Sequence, residues 1–237
     1  MTASSRLLTA FSQLRIVFGH QSVGENIIEG LTSWAKADDV ALRVTSPDQA
    51  PGDGGVLVHA RVGRNCEPAS KIEAFGPLVD DAAARGPVDV ALLKFCYIDI
   101  DERTDVEALF AAYRDGLARV AARHPRTRVV PVTAPLRHSA GGAGVWIREV
   151  LGRPNHSKLA NLARHRFNAR VRDHWAGQAI VDIAAAEASR PDGTTETVSA
   201  GGVAIEHLRA AFTDDGGHLN AAGRRVVAEA LVGALVR

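Results

Sequence analysis

Three residues of this chain could together activate a hydroxyl group. Ser22 follows the apolar run Ile16-Val17-Phe18, in the segment Gly19-His20-Gln21-Ser22-Val23-Gly24. Asp215 and His218 stand three residues apart in Asp215-Gly216-Gly217-His218-Leu219-Asn220, shortly before an apolar closing segment. A serine hydroxyl is a weak nucleophile until an imidazole takes its proton, and a carboxylate that holds the imidazole sets its tautomer. Two glycines between Asp215 and His218 let the loop fold so that one ring nitrogen meets the carboxylate and the other points outward as base. The chemistry is acyl transfer through a covalent intermediate. Both pieces also have plain structural readings. Ser22 with Glu25 three residues on fits a capping box, and the Asp and Asn of the second loop could simply cap the closing helix.

A scaffold must bring position 22 against position 218, and the chain carries the pattern of one. Short apolar runs alternate with longer segments of helical spacing. Arg15–Phe18 is predicted as a strand and Val23–Lys36 as a helix with Val23, Ile27, Ile28, Leu31 and Trp34 on one face. Val40–Thr45 is a second strand. A Gly/Pro-bearing loop from Ser46 to about Gly55 leads to an extended piece at Val56–Val62. Pro68–Ala84 is helical, and Val88–Phe95 is almost continuously apolar, as a strand buried on both faces would be. Thr104–Arg123 is a long helix and Arg128–Thr133 the next strand, with Pro131 implying an edge, a bulge or a strand end. After a loop from Ala134 to about Asn155 containing Gly141, Gly142 and Gly144 come an Arg-rich helix around Lys158–Ala176 and a fifth strand at Ala179–Ile183. Ala184–Gly202 reads as irregular, Val203–Ala211 as helical and Asn220–Val236 as the closing helix.

This alternation implies an α/β fold, a three-layer α/β/α sandwich with a central, mostly parallel sheet of about five strands. In such sheets functional groups gather on the loops after the strand C-termini. Ser22, the Gly63–Asn65 loop, the Cys96–Asp101 loop and Asp215–His218 would then meet at one edge. At 237 residues the chain suits one domain spanning 1–237, with two small ones the alternative.

Composition narrows the function classes. A net charge of +1 supplies no electrostatic reason to expect nucleic acid or an anionic membrane as partner. The apolar runs are far shorter than a membrane span, and Met1–Leu14 reads as a short amphipathic helix rather than a signal peptide, which makes the cytoplasm the expected location. The two cysteines, Cys66 and Cys96, make no disulfide framework; at least one is expected as a free thiol in the pocket wall. Gly52-Asp53-Gly54-Gly55 lacks the Lys-Ser/Thr of a phosphate-binding loop, the histidines lack metal-ligand spacing, and no Gly-x-Ser-x-Gly elbow occurs late in the sheet. Neither metal nor cofactor is expected. Arg164, Arg166, Arg170 and Arg172 could serve a carboxylate- or sulfate-bearing substrate only if they converge.

The serine after the first strand and the Asp-x-x-His before the last helix resemble the SGNH (GDSL-like) hydrolases. That resemblance covers nearly the whole chain by order of elements. It implies a three-layer esterase in which Ser22 is nucleophile, His218 base and Asp215 its orienter. It also implies an oxyanion hole of the Ser22 amide, a second-block glycine matched by Gly63, and a third-block asparagine. This chain departs twice: Gly-Asp-Ser becomes His20-Gln21-Ser22, and Gly-x-Asn-Asp becomes Cys96-Tyr97-Ile98-Asp99. Isoleucine donates no hydrogen bond, and loss of one oxyanion donor costs about 3 kcal/mol in the transition state. Asn65, two residues past Gly63, is the candidate replacement. His20, Lys94 and Tyr97 are weaker ones and are placed as substrate-binding residues. The expected substrate is a small-molecule or carbohydrate ester with a short acyl group. An acyltransferase using the same triad, or a non-catalytic binding protein on the same fold, are the alternatives.

Overall fold

The computed structural model describes residues 2–50, 54–139 and 155–236. Gly141, Gly142 and Gly144 of the predicted long loop, and Gly52 and Asp53, lie outside the described residues. Five parallel strands form the central sheet in the order β2-β3-β1-β4-β5. They are β1 (Arg15–His20), β2 (Val44–Thr45), β3 (Val56–Arg61), β4 (Val90–Leu93) and β5 (Arg128–Pro131). β1 sits between β3 and β4, with Val17 opposite Val58 on one side and Ala91 on the other.

Alternation along the strands assigns each side chain to a helical layer. Ile16, Phe18, Val90 and Leu92 pack beneath α1 (Ala3–Ser12), α2 (Ser22–Ala37) and the closing helix. Val17, Val58, Ala91 and Leu93 face α3 (Pro68–Arg85), α4 (Val106–Arg123) and α5 (His156–His174). Phe18, Phe75 and Phe167 are each at most 1% exposed, and full burial of such a side chain stabilises by about 1.5–3 kcal/mol. Sheet and both helical layers therefore form the predicted three-layer sandwich. No helix among the described residues is long and apolar enough to cross a membrane.

Four readings of local structure are revised: Val40–Thr45, Ala179–Ile183, Ala184–Gly202 and Val203–Ala211. The extended piece at Val56–Val62 is a full strand beside β1, whereas Val40–Thr45 pairs only through Val44 and Thr45. The expected fifth strand at Ala179–Ile183 shrinks to one parallel bridge between Val181 and Val132. Asp182 ends it: its carboxylate accepts from the Ala185 N–H and starts α6 (Ile183–Ala188) inside the segment read as irregular. Finally, Val203–Ala211 is not a helix. β7 (Val203–Glu206) pairs antiparallel with β6 (Thr197–Ala200) across Gly201-Gly202, both at positive φ, the conformation a tight hairpin turn requires. A short 3₁₀ turn, Ala210–Phe212, then leads to the Asp215 loop and to α7 (Ala221–Val236).

Candidate active site

Ser22 opens α2 where β1 leaves the centre of the sheet. The chain-terminal loop reaches it because α7 packs closely on α2. At Gly30 any Cβ would lie 2.4 Å from the Arg224 carbonyl oxygen, so only glycine permits that approach. Asn26, buried one turn after Ser22, accepts the Leu219 N–H at 3.1 Å and ties the residue beside His218 to the serine's own helix. Residues 196 apart in sequence are thus fixed by one helix pair and one buried amide.

His218 Nδ1 lies 2.6 Å from Asp215 Oδ2, and Nε2 lies 3.3 Å from Ser22 Oγ. An ionised carboxylate only accepts, so Nδ1 carries the proton and Nε2 presents its lone pair to the hydroxyl. The other carboxylate oxygen, Oδ1, accepts from the backbone N–H groups of Gly217 and His218, each at 2.8 Å. Hydrogen bonds from the His218 side chain and then from these two amides hold the Asp215 carboxyl well below the usual carboxylate range. The capping-box reading of Ser22 does not describe this turn. Gln21 occupies the N-cap position, the Ser22 hydroxyl meets His218 and Cys96 instead of helix amides, and Glu25 pairs with Arg61.

A second buried set joins the loops after β3 and β4. Lys71, fully buried on α3, donates to Asp99 Oδ2 and, at 3.1 Å, to Asn65 Oδ1. Asp99 also accepts the N–H groups of Cys96 (2.6 Å) and Cys66 (2.9 Å). Because an ammonium can only donate, it is the oxygen of the Asn65 amide that Lys71 engages, and Asn65 itself is exposed. Gln21 bridges the remaining gap, donating to the Val62 and Gly63 carbonyls at 2.9 Å. Gly63 sits at φ 58°, and a Cβ there would strike the Lys71 backbone nitrogen at 2.5 Å. Among the described residues neither the Ser22 nor the Gly63 N–H has an acceptor.

The side chains read as substrate-binding divide. His20 is fully buried, with Nε2 on His59 and Nδ1 beside the Gln21 carbonyl; burial holds its imidazole down at about 4, so it is neutral packing beneath α2. Lys94 is also fully buried, and burial pushes its ammonium down. Neither side chain reaches a substrate from there, which corrects both assignments. Tyr97 remains: its ring meets the His218 ring edge-on at 5.8 Å and lines an open cleft of about 580 Å³ with Ile98, Arg137 and Arg164. Cys66 is exposed in the same wall as a free thiol, while Cys96 is buried with Sγ 3.6 Å from Ser22 Oγ. Burial would raise the Cys96 thiol, but the Lys94 charge, the Ser22 hydroxyl and the Val23 N–H outweigh it and bring it below its ordinary value.

Of the four arginines on the predicted Arg-rich helix, only Arg164 turns to this cleft. Arg170 pairs with Glu107, and Arg172 with Asp182 and Glu206. Sequence reading missed Lys71, Asn26 and Arg137. Lys71 stands next to Ile72 on an apolar helix face, and nothing in the sequence around it signals the contact with Asp99.

No protein-family model and no curated protein matches the chain. Among solved structures, a Streptococcus pneumonia protein provisionally described as a platelet activating factor superposes with a TM-score of 0.52 at 13% identity, over 98% of this chain and 92% of that one. The OSK domain of Drosophila Oskar superposes at 0.42 and 11% identity, over 98% of this chain and 96% of that one. The first of these similarities establishes a shared fold.

Proposed function

We propose that the chain is a serine-dependent carboxylic-ester hydrolase of SGNH type, acting on short-chain acyl esters. The observation that carries this reading is the unbroken relay from Asp215 through His218 to Ser22. In the reaction, Ser22 Oγ attacks the ester carbonyl carbon while its proton passes to His218 Nε2. The tetrahedral adduct collapses as that proton moves to the leaving alkoxide. Water, deprotonated by the same nitrogen, then releases the acid and restores Ser22. The Ser22 and Gly63 N–H groups and the Asn65 Nδ2 hold the developing oxyanion. Support for Asn65, in place of the asparagine missing at Ile98, is its anchoring: Lys71 takes its oxygen, and its NH₂ group is the end left to donate.

A serine-directed phosphonate is expected to add one mole of label per mole of chain, on the tryptic peptide containing Ser22. Absence of label, or label confined to another residue, overturns the assignment. Asn65→Ala is expected to slow both labelling and turnover of 4-nitrophenyl acetate about 100-fold or more, the usual effect of losing an oxyanion donor. A loss below about threefold would take Asn65 out of the oxyanion hole while leaving the nucleophile standing.

A further inference from the structure

Beside Tyr97 the structure holds two guanidinium groups with no carboxylate partner among the described residues. Arg164 is 3% exposed; its Nε donates to the Tyr97 carbonyl at 2.8 Å and one terminal nitrogen to Asn161 Oδ1 at 2.6 Å. Both acceptors are neutral, and the carboxyl groups that act on its charge, Glu187 and Asp101, form no ion pair with it among the described residues, a costly arrangement for a buried group. Arg137 is exposed and lies over the Tyr97 ring at 5.3 Å. The acids of the same cleft are occupied: Asp101 by Arg103 and Thr104, Glu102 by His156, and Asp99 by Lys71. What the cleft offers an incoming ligand is therefore positive.

We infer that this cleft binds an anionic group of the ester substrate, a carboxylate or a sulfonate-type oxyanion, through Arg137 and Arg164. The inference deepens the ester-hydrolase reading and rests on it. Tyr97 supplies the connection, since one edge of the site meets its ring at His218 and the other at Arg137. An ester whose far end carries an anion would reach both with its carbonyl at Ser22. The forked donors of a guanidinium suit a planar or trigonal oxyanion. Burial, followed by the like charge of Arg137, holds Arg164 down at about 10. Arg164 stays cationic at neutral pH, and an anion between the two guanidinium groups would relieve their repulsion.

The test compares 4-acetoxybenzoate and 4-acetoxybenzenesulfonate with the neutral methyl 4-acetoxybenzoate, following acetate release. The anionic-over-neutral ratio of kcat/KM is expected to fall about 10-fold or more in Arg137→Gln, and to fall likewise in Arg164→Lys, which keeps the charge but loses the fork. A fall for one anion alone names the group the cleft takes. An unchanged ratio in both variants overturns the inference. Calorimetric binding of 4-hydroxybenzoate separates this outcome from failure of the hydrolase reading. The wild type should bind it and Arg137→Gln at least about 10-fold more weakly, whether or not Ser22 takes a phosphonate. No binding to the wild type overturns the anion site, and no phosphonate label overturns the hydrolase.

Discussion

Ser22→Ala is expected to lower kcat for 4-nitrophenyl acetate by about 10⁴-fold or more while leaving the protein folded. The size follows from the position of Oγ at the end of the relay, 3.3 Å from the only outward nitrogen of His218. Without it, His218 can activate only water, and the oxyanion donors supply the residual rate. Retention of the fold follows from what the hydroxyl does not do. It caps no helix amide, and its two contacts are with His218 and the Cys96 sulfur. Deleting it should therefore change stability by less than about 0.5 kcal/mol, the ordinary range for a substitution outside core, cap and buried network. Thermal unfolding beside the kinetic assay checks both halves. Turnover within 10-fold of wild type would point to a different nucleophile. Cys96, 3.6 Å away with a thiol held below its ordinary value, would be the first to examine, by adding Cys96→Ala.

How much of this was legible beforehand depended on the range of the interaction concerned. Periodicity is local, and it located β1, β4 and the long helices to within about two residues. Ser22 and the Asp215–His218 pair could be read because a strand-to-helix turn and an Asp-x-x-His loop are short patterns. The errors have equally physical origins. The strand at Ala179–Ile183 was lost to a helix cap made by Asp182, a competition that apolar spacing does not register. The β6–β7 hairpin turns at Gly201-Gly202 between two β-branched runs, a turn signal that the sequence does carry and that competes with the helical spacing of Val203–Ala211. His20 and Lys94, the weaker candidates for the donor missing at Ile98, stand at strand ends, where the sequence does not say which way a polar side chain faces. Whether it points up into the crevice or down under a helix is decided by packing from α2, α3 and α6. Arg137, Arg164 and Lys71 come together through three loops distant in sequence, and no window of the chain contains that information.

Asp215→Asn is expected to reduce kcat about 10³- to 10⁴-fold at neutral pH, although the substitution only exchanges one carboxylate oxygen for an NH₂ group. The loop dictates how the new amide must lie. Position 215 receives two backbone N–H groups on one side-chain oxygen, from Gly217 and His218, each at 2.8 Å. Those donors demand the amide oxygen, since an NH₂ group facing them would meet two hydrogens. The amide nitrogen is left facing His218 Nδ1, where it can only donate. Nδ1 must then be the bare nitrogen of the ring, and the proton moves to Nε2, toward Ser22. An imidazole in that tautomer cannot accept from the hydroxyl. The electrostatic part of the loss is secondary, because the Asp215 side chain is 56% exposed and its charge is screened by water. In the wild type the Asp215 carboxyl, held well below the usual carboxylate range, stays ionised wherever a histidine exchanges its proton. A fall in turnover with decreasing pH should therefore not come from protonation of Asp215. The two variants also differ in a measurable way: Asp215→Asn keeps Ser22 and should still accept the phosphonate slowly, whereas Ser22→Ala should not accept it at all. A loss of less than about 10-fold in Asp215→Asn would mean that the imidazole keeps its working tautomer without the carboxylate, and the role given to Asp215 would be withdrawn.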